Sequence, residues 1–376
     1  MGKKVLVTGV TGQDGANMCE YLLRLNAGIG FHDQAPEEPY SVYGMIRRTA
    51  NPNFKNCEFF KDKPDFEFIE GDLTDSVSVS GVVKKIKPDY LINFAANSFV
   101  GVSWSMPEHV FDTNAQGVLR CLEAVREYAP ECRFYSAGSS EEFGDVDYVP
   151  QDIKHPIKPR SPYGASKAAA RHLVKVYRES YNLFAVHGIL FNHEGTKRGE
   201  EFVTRKITKG VSRIRHAIKN NKDFSPIELG NLSAMRDWSD SEDFVHGVWL
   251  MLNQETPKDY ILSSDETHSI AEFVEKAFLA ADIKGEWFYV ENEIDGQSVK
   301  IPQQTKFIDS KSKKVYVKVN EKFYRPAEVN LLMGNSKPAR KELGWKPRAS
   351  FNDLVVKMVK NDIEEQDNKT VPRIEG

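Results

Sequence analysis

Cysteine is scarce in this 376-residue chain, with only Cys19, Cys57, Cys121 and Cys132, and no two of them form a C-x-x-C pair. That usage argues against a disulfide scaffold and for reduced thiols in a cytoplasmic protein. No apolar run approaches the ~18 residues that suggest a membrane span. The short VLVTGV stretch after Lys3 and Lys4 is soon broken by Gln13 and Asp14, so it is not read as a secretory leader. A net charge of -3 offers no reason to expect nucleic acid or a membrane surface as partner. Internal repeats and low-complexity tracts are missing as well. What is present is an ordinary globular composition, 40% hydrophobic and 28% charged, on a chain long enough for one large α/β domain plus a smaller one.

Val5 to Thr8 is a short buried-strand pattern. Gly9-x-x-Gly12-x-x-Gly15 follows, then a helix with Met18, Leu22 and Leu25 on one face. Strand, glycine turn and helix form the context in which such glycines let a pyrophosphate approach the helix N-terminus. Gln13 and Asp14 belong to the same candidate cofactor segment. Residues Ala27 to Pro39 read as a surface loop, and a second strand, Val42 to Ile46, ends in Arg47-Arg48. Asp or Glu at that place suits a ribose 2′-hydroxyl, whereas Arg suits a 2′-phosphate, so the expected cofactor is NADP. A third strand through Phe66, Phe68 and Ile69 leads to Gly71-Asp72-Leu73. Asp72 there either meets the adenine side of a cofactor or caps the helix near Ser76. A fourth strand, Tyr90 to Phe94, is followed by Ala95, small enough for close passage of a cofactor. Pro107 to Tyr128 reads as one long helix containing Asn114. Alternating strands and helices argue for a doubly wound parallel sheet.

The strand Arg133 to Ser136 runs into Ser139, Ser140 and Glu141, where an open α/β sheet presents its strand ends to ligand. Pro162 suits the first turn of the next helix, and Tyr163 and Lys167, spaced i,i+4, then share a face. An ammonium beside a phenol favours the phenolate, giving a general acid/base near neutral pH with a Ser hydroxyl close by. The spacing alone also fits a solvated helix face; the strand-end serine and the N-terminal glycines favour chemistry. A further strand, Ala185 to Phe191, precedes Asn192-His193-Glu194, after which the alternation loosens. The expected division is a Rossmann domain over 1–191 and a substrate domain over 192–376, with segments crossing back. In the second part, Asp240 to Asn253 and Ser269 to Ala281 read as helices and Tyr260 to Leu262 as a strand. Val315, Val317 and Val319 alternate as in a half-exposed strand, and two short helices close the chain.

Together these segments resemble the extended short-chain dehydrogenase/reductase family, and within it the GDP-mannose 4,6-dehydratases. The likeness rests on GVTGQDG, RSPYGASK, ILFNHE, RGEEFVTRKIT, RDW, FYRPAEV and LGWKP. It implies a catalytic set of Ser139, Glu141, Tyr163 and Lys167, a GDP-sugar held by Asn192, Lys206, Arg236, Arg325 and Glu328, and a homodimer or homotetramer. The implied reaction is loss of water from GDP-mannose by hydride transfer from C4 to C6 through NADP. Dehydration of GDP-manno-heptose, or 4-epimerisation, are the alternatives. Departures exist: Ser98-Phe99-Val100 lacks the family's His, Ser139 replaces a Thr, and Glu142-Phe143 replaces Leu-Tyr. Glu141 separates the classes, because an epimerase needs no carboxylate at C5.

Overall fold

The computed structural model describes residues 2–29, 35–294, 297–323 and 331–368. The chain forms two compact units. One comprises Met1–His193, Ser239–Glu266 and Leu332–Arg348; the other comprises Glu194–Trp238, Thr267–Leu331 and Ala349–Gly376.

In the first unit, β1 (Lys4–Thr8), β2 (Ser41–Ile46), β3 (Phe66–Glu70), β4 (Tyr90–Asn93), β5 (Arg133–Ala137) and β6 (Ala185–Leu190) alternate with helices. These are α1 (Gln13–Asn26), α2 (Ser76–Ile86), α3 (Pro107–Phe111), α4 (Gly117–Tyr128) and α5 (Pro162–Tyr181). With the strand Tyr260–Leu262 at one edge, they make a seven-stranded sheet in the order Tyr260–Leu262, β6, β5, β4, β1, β2, β3. Each pairing is parallel. Helices on both faces explain why Val5, Val7, Ile92, Phe134, Val186 and Ile189 are wholly buried, and why the strands read as apolar runs. The strand order reverses between β1 and β4, which opens a crevice at their carboxyl ends.

The predicted helix over Pro107–Tyr128 is interrupted by a π-helical turn, Asp112–Gln116. Asp72 is not the cap of α2; Asp75 is, accepting from the Val77 N–H, while Asp72 accepts from the N–H and hydroxyl of Thr74.

The second unit stacks three helices, Val203–Lys219, Ile270–Ala280 and Phe351–Asn368, with a four-stranded sheet. Ile207, Val211, Phe273, Phe278, Leu354 and Met358 fill its core. Arg205, also buried, pairs with Asp362 at 2.9 Å. Two expectations fail here. The last helix is not short: it has 18 residues. In the strand Val315–Val319, Tyr316 is buried rather than wet, because its hydroxyl donates to Asp309 and its ring stacks on Phe278. Among the described residues no helix is long and apolar enough to cross a membrane.

Candidate active site

The crevice between β1 and β4 fits a dinucleotide. Gly9 has φ of +67°, and a Cβ there would lie 2.7 Å from the Ala95 nitrogen, so only glycine keeps the floor of the crevice open. Gly12 caps α1, and having no side chain it puts none over the start of the helix, where a phosphate is ordinarily held. Gln13 and Asp14 are tied to one another and to His193: Gln13 Nε2 donates to Asp14 Oδ1 at 3.0 Å and to the His193 carbonyl at 3.1 Å, and His193 Nε2 lies 2.9 Å from Asp14 Oδ2. Arg47 and Arg48 stand exposed just past β2. Asp72 follows β3; burial opposes its ionisation, but the Thr74 hydrogen bonds and the charge of Arg47 hold its carboxyl below the ordinary range. Leu73, next in the chain, is buried.

The second cluster forms where β5 ends. Ser139 caps the short turn Ser140–Glu142, its hydroxyl accepting from the Glu141 N–H at 3.2 Å. This turn packs against the start of α5, where a Cβ on Gly164 would meet the Glu141 carbonyl at 2.5 Å. Pro162 opens α5 and Ser161 caps it, accepting from the Gly164 N–H at 3.0 Å. Tyr163 and Lys167 are both buried on that helix. Lys167 Nζ donates to the Ala137 carbonyl at 2.7 Å and lies 5.9 Å from the Tyr163 ring centre. Burial pushes the Lys167 ammonium down to about 8, against the opposing charges of Glu142 and Asp14. Asn114, in the π-turn, ties α5 to the segment after β4: it donates to the Ser166 hydroxyl and the Asn97 carbonyl and accepts from the Asn97 N–H. The turn holding Ser139 and Glu141 and the helix carrying Tyr163 and Lys167 thus pack together where β5 ends, and these residue types suit moving protons at a carbinol and its neighbouring carbon.

The residues expected to hold a GDP-sugar are distributed over both units. Asn192 lies in the first, with a buried Oδ1 that has no hydrogen-bond partner among the described residues. Lys206 and Arg236 lie in the second. Lys206 lines an open cleft of about 720 Å³ together with Glu200, Lys209, Arg213, Glu228 and Phe323. Its Nζ sits 3.4 Å from the Phe323 ring centre, and burial lowers its basicity while Glu228 opposes. Arg236 is buried and donates to the Met235 carbonyl at 2.8 Å. Arg325 and Glu328 lie outside the described residues.

Residues 6–358 match the family model for GDP-mannose 4,6 dehydratase. The chain belongs to that family. It is 39% identical over 370 residues to the GDP-mannose 4,6 dehydratase of Drosophila melanogaster, covering 96% of this chain and 86% of the relative. The human enzyme of that name is 39% identical, with 97% and 93% covered, and the Vibrio cholerae one is 36% identical, with 100% and 98% covered. Among solved structures, a dTDP-glucose 4,6-dehydratase from Streptomyces venezuelae with NAD and TYD bound superposes with a TM-score of 0.75 at 20% identity, covering 97% of this chain and 98% of that one. One from Bacillus anthracis in complex with NAD reaches 0.74 at 19%, with the same coverage. These two share the fold.

Within the dehydratase family fold, the geometry adds residues that the sequence reading passed over. Glu142 and His187 form a buried pair beneath Ser139. The S-x-x-E spacing of Ser139 and Glu142 is a readable capping box, and would have marked Glu142 as inward-facing. His187 has no such local signal. Lys206, Lys209 and Arg213 share one helix, and Phe323 joins them from the short 3-10 turn Glu321–Phe323 only through the packing of the second unit.

Proposed function

We propose that this chain converts GDP-D-mannose to GDP-4-keto-6-deoxy-D-mannose and water. The observation that supports the reading is the Ser139–Glu142 turn packed on the start of α5, the helix that carries Tyr163 and Lys167, in a chain of this family. Gly9, Gly12, Gln13, Asp14, Gly15, Asp72, Leu73 and Ala95 would hold NADP, with Arg47 and Arg48 suited to its 2′-phosphate. When bound, that cofactor supplies a hydride acceptor that is restored at the end, so C4 is oxidised and C6 reduced with no net redox change.

The side chains supply the proton traffic. Tyr163 takes the proton from O4, Ser139 orients that oxygen, and Lys167 supports the phenolate by its charge. The 4-keto group acidifies C5, and Glu141 removes that proton and delivers one to the departing C6 hydroxyl, which leaves as water. C5 is then reprotonated with the proton that Tyr163 took from O4, which restores the phenolate. Lys206, Arg236 and the neighbouring cations of the cleft suit a pyrophosphate; Arg325 and Glu328 complete the proposed nucleotide contacts. The proposal extends to a homodimer or homotetramer in the cytoplasm, consistent with four buried free cysteines.

The test is incubation of the purified protein with GDP-mannose, GDP-manno-heptose and dTDP-glucose in turn, read by mass spectrometry. Loss of one water from GDP-mannose, with no NADPH consumed, is the expected result. Loss from the heptose alone would keep the reaction and move the substrate. An unchanged mass with inverted C4 would make the protein an epimerase and leave Glu141 without a role.

A further inference from the structure

Glu142 is fully buried and has no task in the reaction just described. Its Oε1 accepts from the Ser139 N–H at 2.8 Å and lies 2.9 Å from His187 Nε2. Its Oε2 has no hydrogen-bond partner among the described residues. A carboxylate oxygen only accepts, so Nε2 carries a proton; His187 Nδ1 lies 3.3 Å from Ser136 Oγ. Burying a carboxylate with one oxygen unsatisfied is costly, and an apolar side chain would fill the space without that cost.

The surroundings are built to keep the pair. The His187 backbone N–H donates to Asp259 at 2.9 Å, and Asp259 pairs with Arg178 at 2.6 Å. Gly138 supplies the room: a Cβ there would collide with His187 Nε2 and come to 2.8 Å from Glu142 Oε1. The junction between β5 and the catalytic turn is therefore shaped around a carboxylate and an imidazole.

We propose that Glu142 and His187 are positioning residues that lock the turn presenting Ser139 and Glu141, and that Glu142 is the internal negative charge balancing the buried ammonium of Lys167. The charged and titratable groups facing the pair are Lys167 from α5, Asp14 from α1, Tyr135 from β5, and Asp259 with Arg178 beside the His187 backbone. Lys167 Nζ donates to the Ala137 carbonyl at 2.7 Å and Glu142 Oε1 accepts from the Ser139 N–H at 2.8 Å, so the two groups hold the same three-residue stretch of backbone. Burial lowers Lys167, and Glu142 is the larger of the two charges that oppose it. Removing that charge leaves Lys167 to lose its proton at lower pH, and the activity that needs the ammonium is then lost earlier as pH rises.

The inference rests on the proposed dehydration, so the test has one readout that needs no substrate. Wild type, Glu142→Gln, Glu142→Leu, His187→Gln and His187→Ala are compared. The first readout is the pH dependence of Lys167 acetylation by acetic anhydride, mapped by peptide mass spectrometry on the intact folded protein. Glu142→Gln, which keeps an acceptor for Ser139 but no charge, is expected to weaken Lys167 proton affinity about tenfold or more. The second is turnover of GDP-mannose. Glu142→Leu is expected to lower kcat about 100-fold, the scale of a misplaced catalytic group, with KM little changed. Glu142→Gln is expected to keep more of kcat but to move the alkaline limb of kcat/KM to lower pH. His187→Gln, whose amide can donate in place of Nε2, should retain more activity than His187→Ala. Coincident acetylation curves for wild type and Glu142→Gln would overturn the charge role. Equal kcat in wild type and Glu142→Leu would overturn the positioning role. Failure of wild type to dehydrate any GDP-sugar would instead overturn the proposed function, and the acetylation result would still decide the charge role.

Discussion

Two lysines, one in each unit, show how the same side chain is set to different work. Lys167 is buried on α5, fixed by the Ala137 carbonyl, and pushed down to about 8. Lys206 lies half-exposed on the helix Val203–Lys219, over the Phe323 ring, in an open cleft with Lys209 and Arg213. Burial lowers both, and it brings Lys167 down to about 8, near the pH where its charge is poised to change. The first environment suits proton chemistry; the second keeps an ammonium in reach of solvent beside two further cations, as anion binding requires. A buried, hydrogen-bonded site acts through kcat and pH, and an open charged cleft acts through binding and salt.

That contrast is broken most sharply at the catalytic turn. Glu141→Gln should abolish water loss, by on the order of 1000-fold in kcat, with NADP binding intact in a fluorescence titration. Normal dehydration by this variant would remove Glu141 from the mechanism. Lys167→Met should cost on the order of 100-fold in kcat. In wild type the ammonium is present below its shifted value, so kcat/KM should fall as pH rises through about 8, whereas an ordinary lysine would carry activity toward pH 10 or so. In the cleft, Lys206→Ala should raise KM about tenfold, the scale of a charged hydrogen bond, with kcat little changed and salt dependence reduced. An equal fall in kcat would move Lys206 out of the binding class. Replacing Arg47 and Arg48 together with Ala should weaken NADP by about tenfold while sparing NAD; equal losses for both would end the 2′-phosphate assignment. The smallest effect sharpens the comparison from outside either region. Asp75→Ala removes the cap of α2 and should cost about 1 kcal/mol in urea denaturation with unchanged kinetics.

How much of this the sequence carried depends on how local the cause is. The parallel strands were readable because burial on both faces makes short apolar runs, and the glycine turn because Gly9 must take a left-handed φ. Tyr163 and Lys167 fell on one face through helical spacing alone. The second unit was harder. Its long hairpin, Gly285–Ile294 with Gln297–Asp309, went unread, since Trp287, Phe288 and Tyr289 run together without the alternation of a half-exposed strand. Tyr316 broke the valine alternation because tertiary partners, Asp309 and Phe278, decide its face. The Glu142–His187 pair joins residues 45 positions apart, and only the packing of β5 beside β6 brings them together. The π-turn at Asn114 is likewise fixed by what Asn114 bonds to in α5.

The central claim is an internal hydride transfer within one sugar, and isotopic labelling tests it most directly. GDP-mannose carrying deuterium at C4 would be incubated with the purified protein and the product examined by mass spectrometry and NMR. The account predicts a product lighter by one water, with a keto group at C4 and the deuterium at C6. Deuterium still at C4, or a product of unchanged mass, would contradict it.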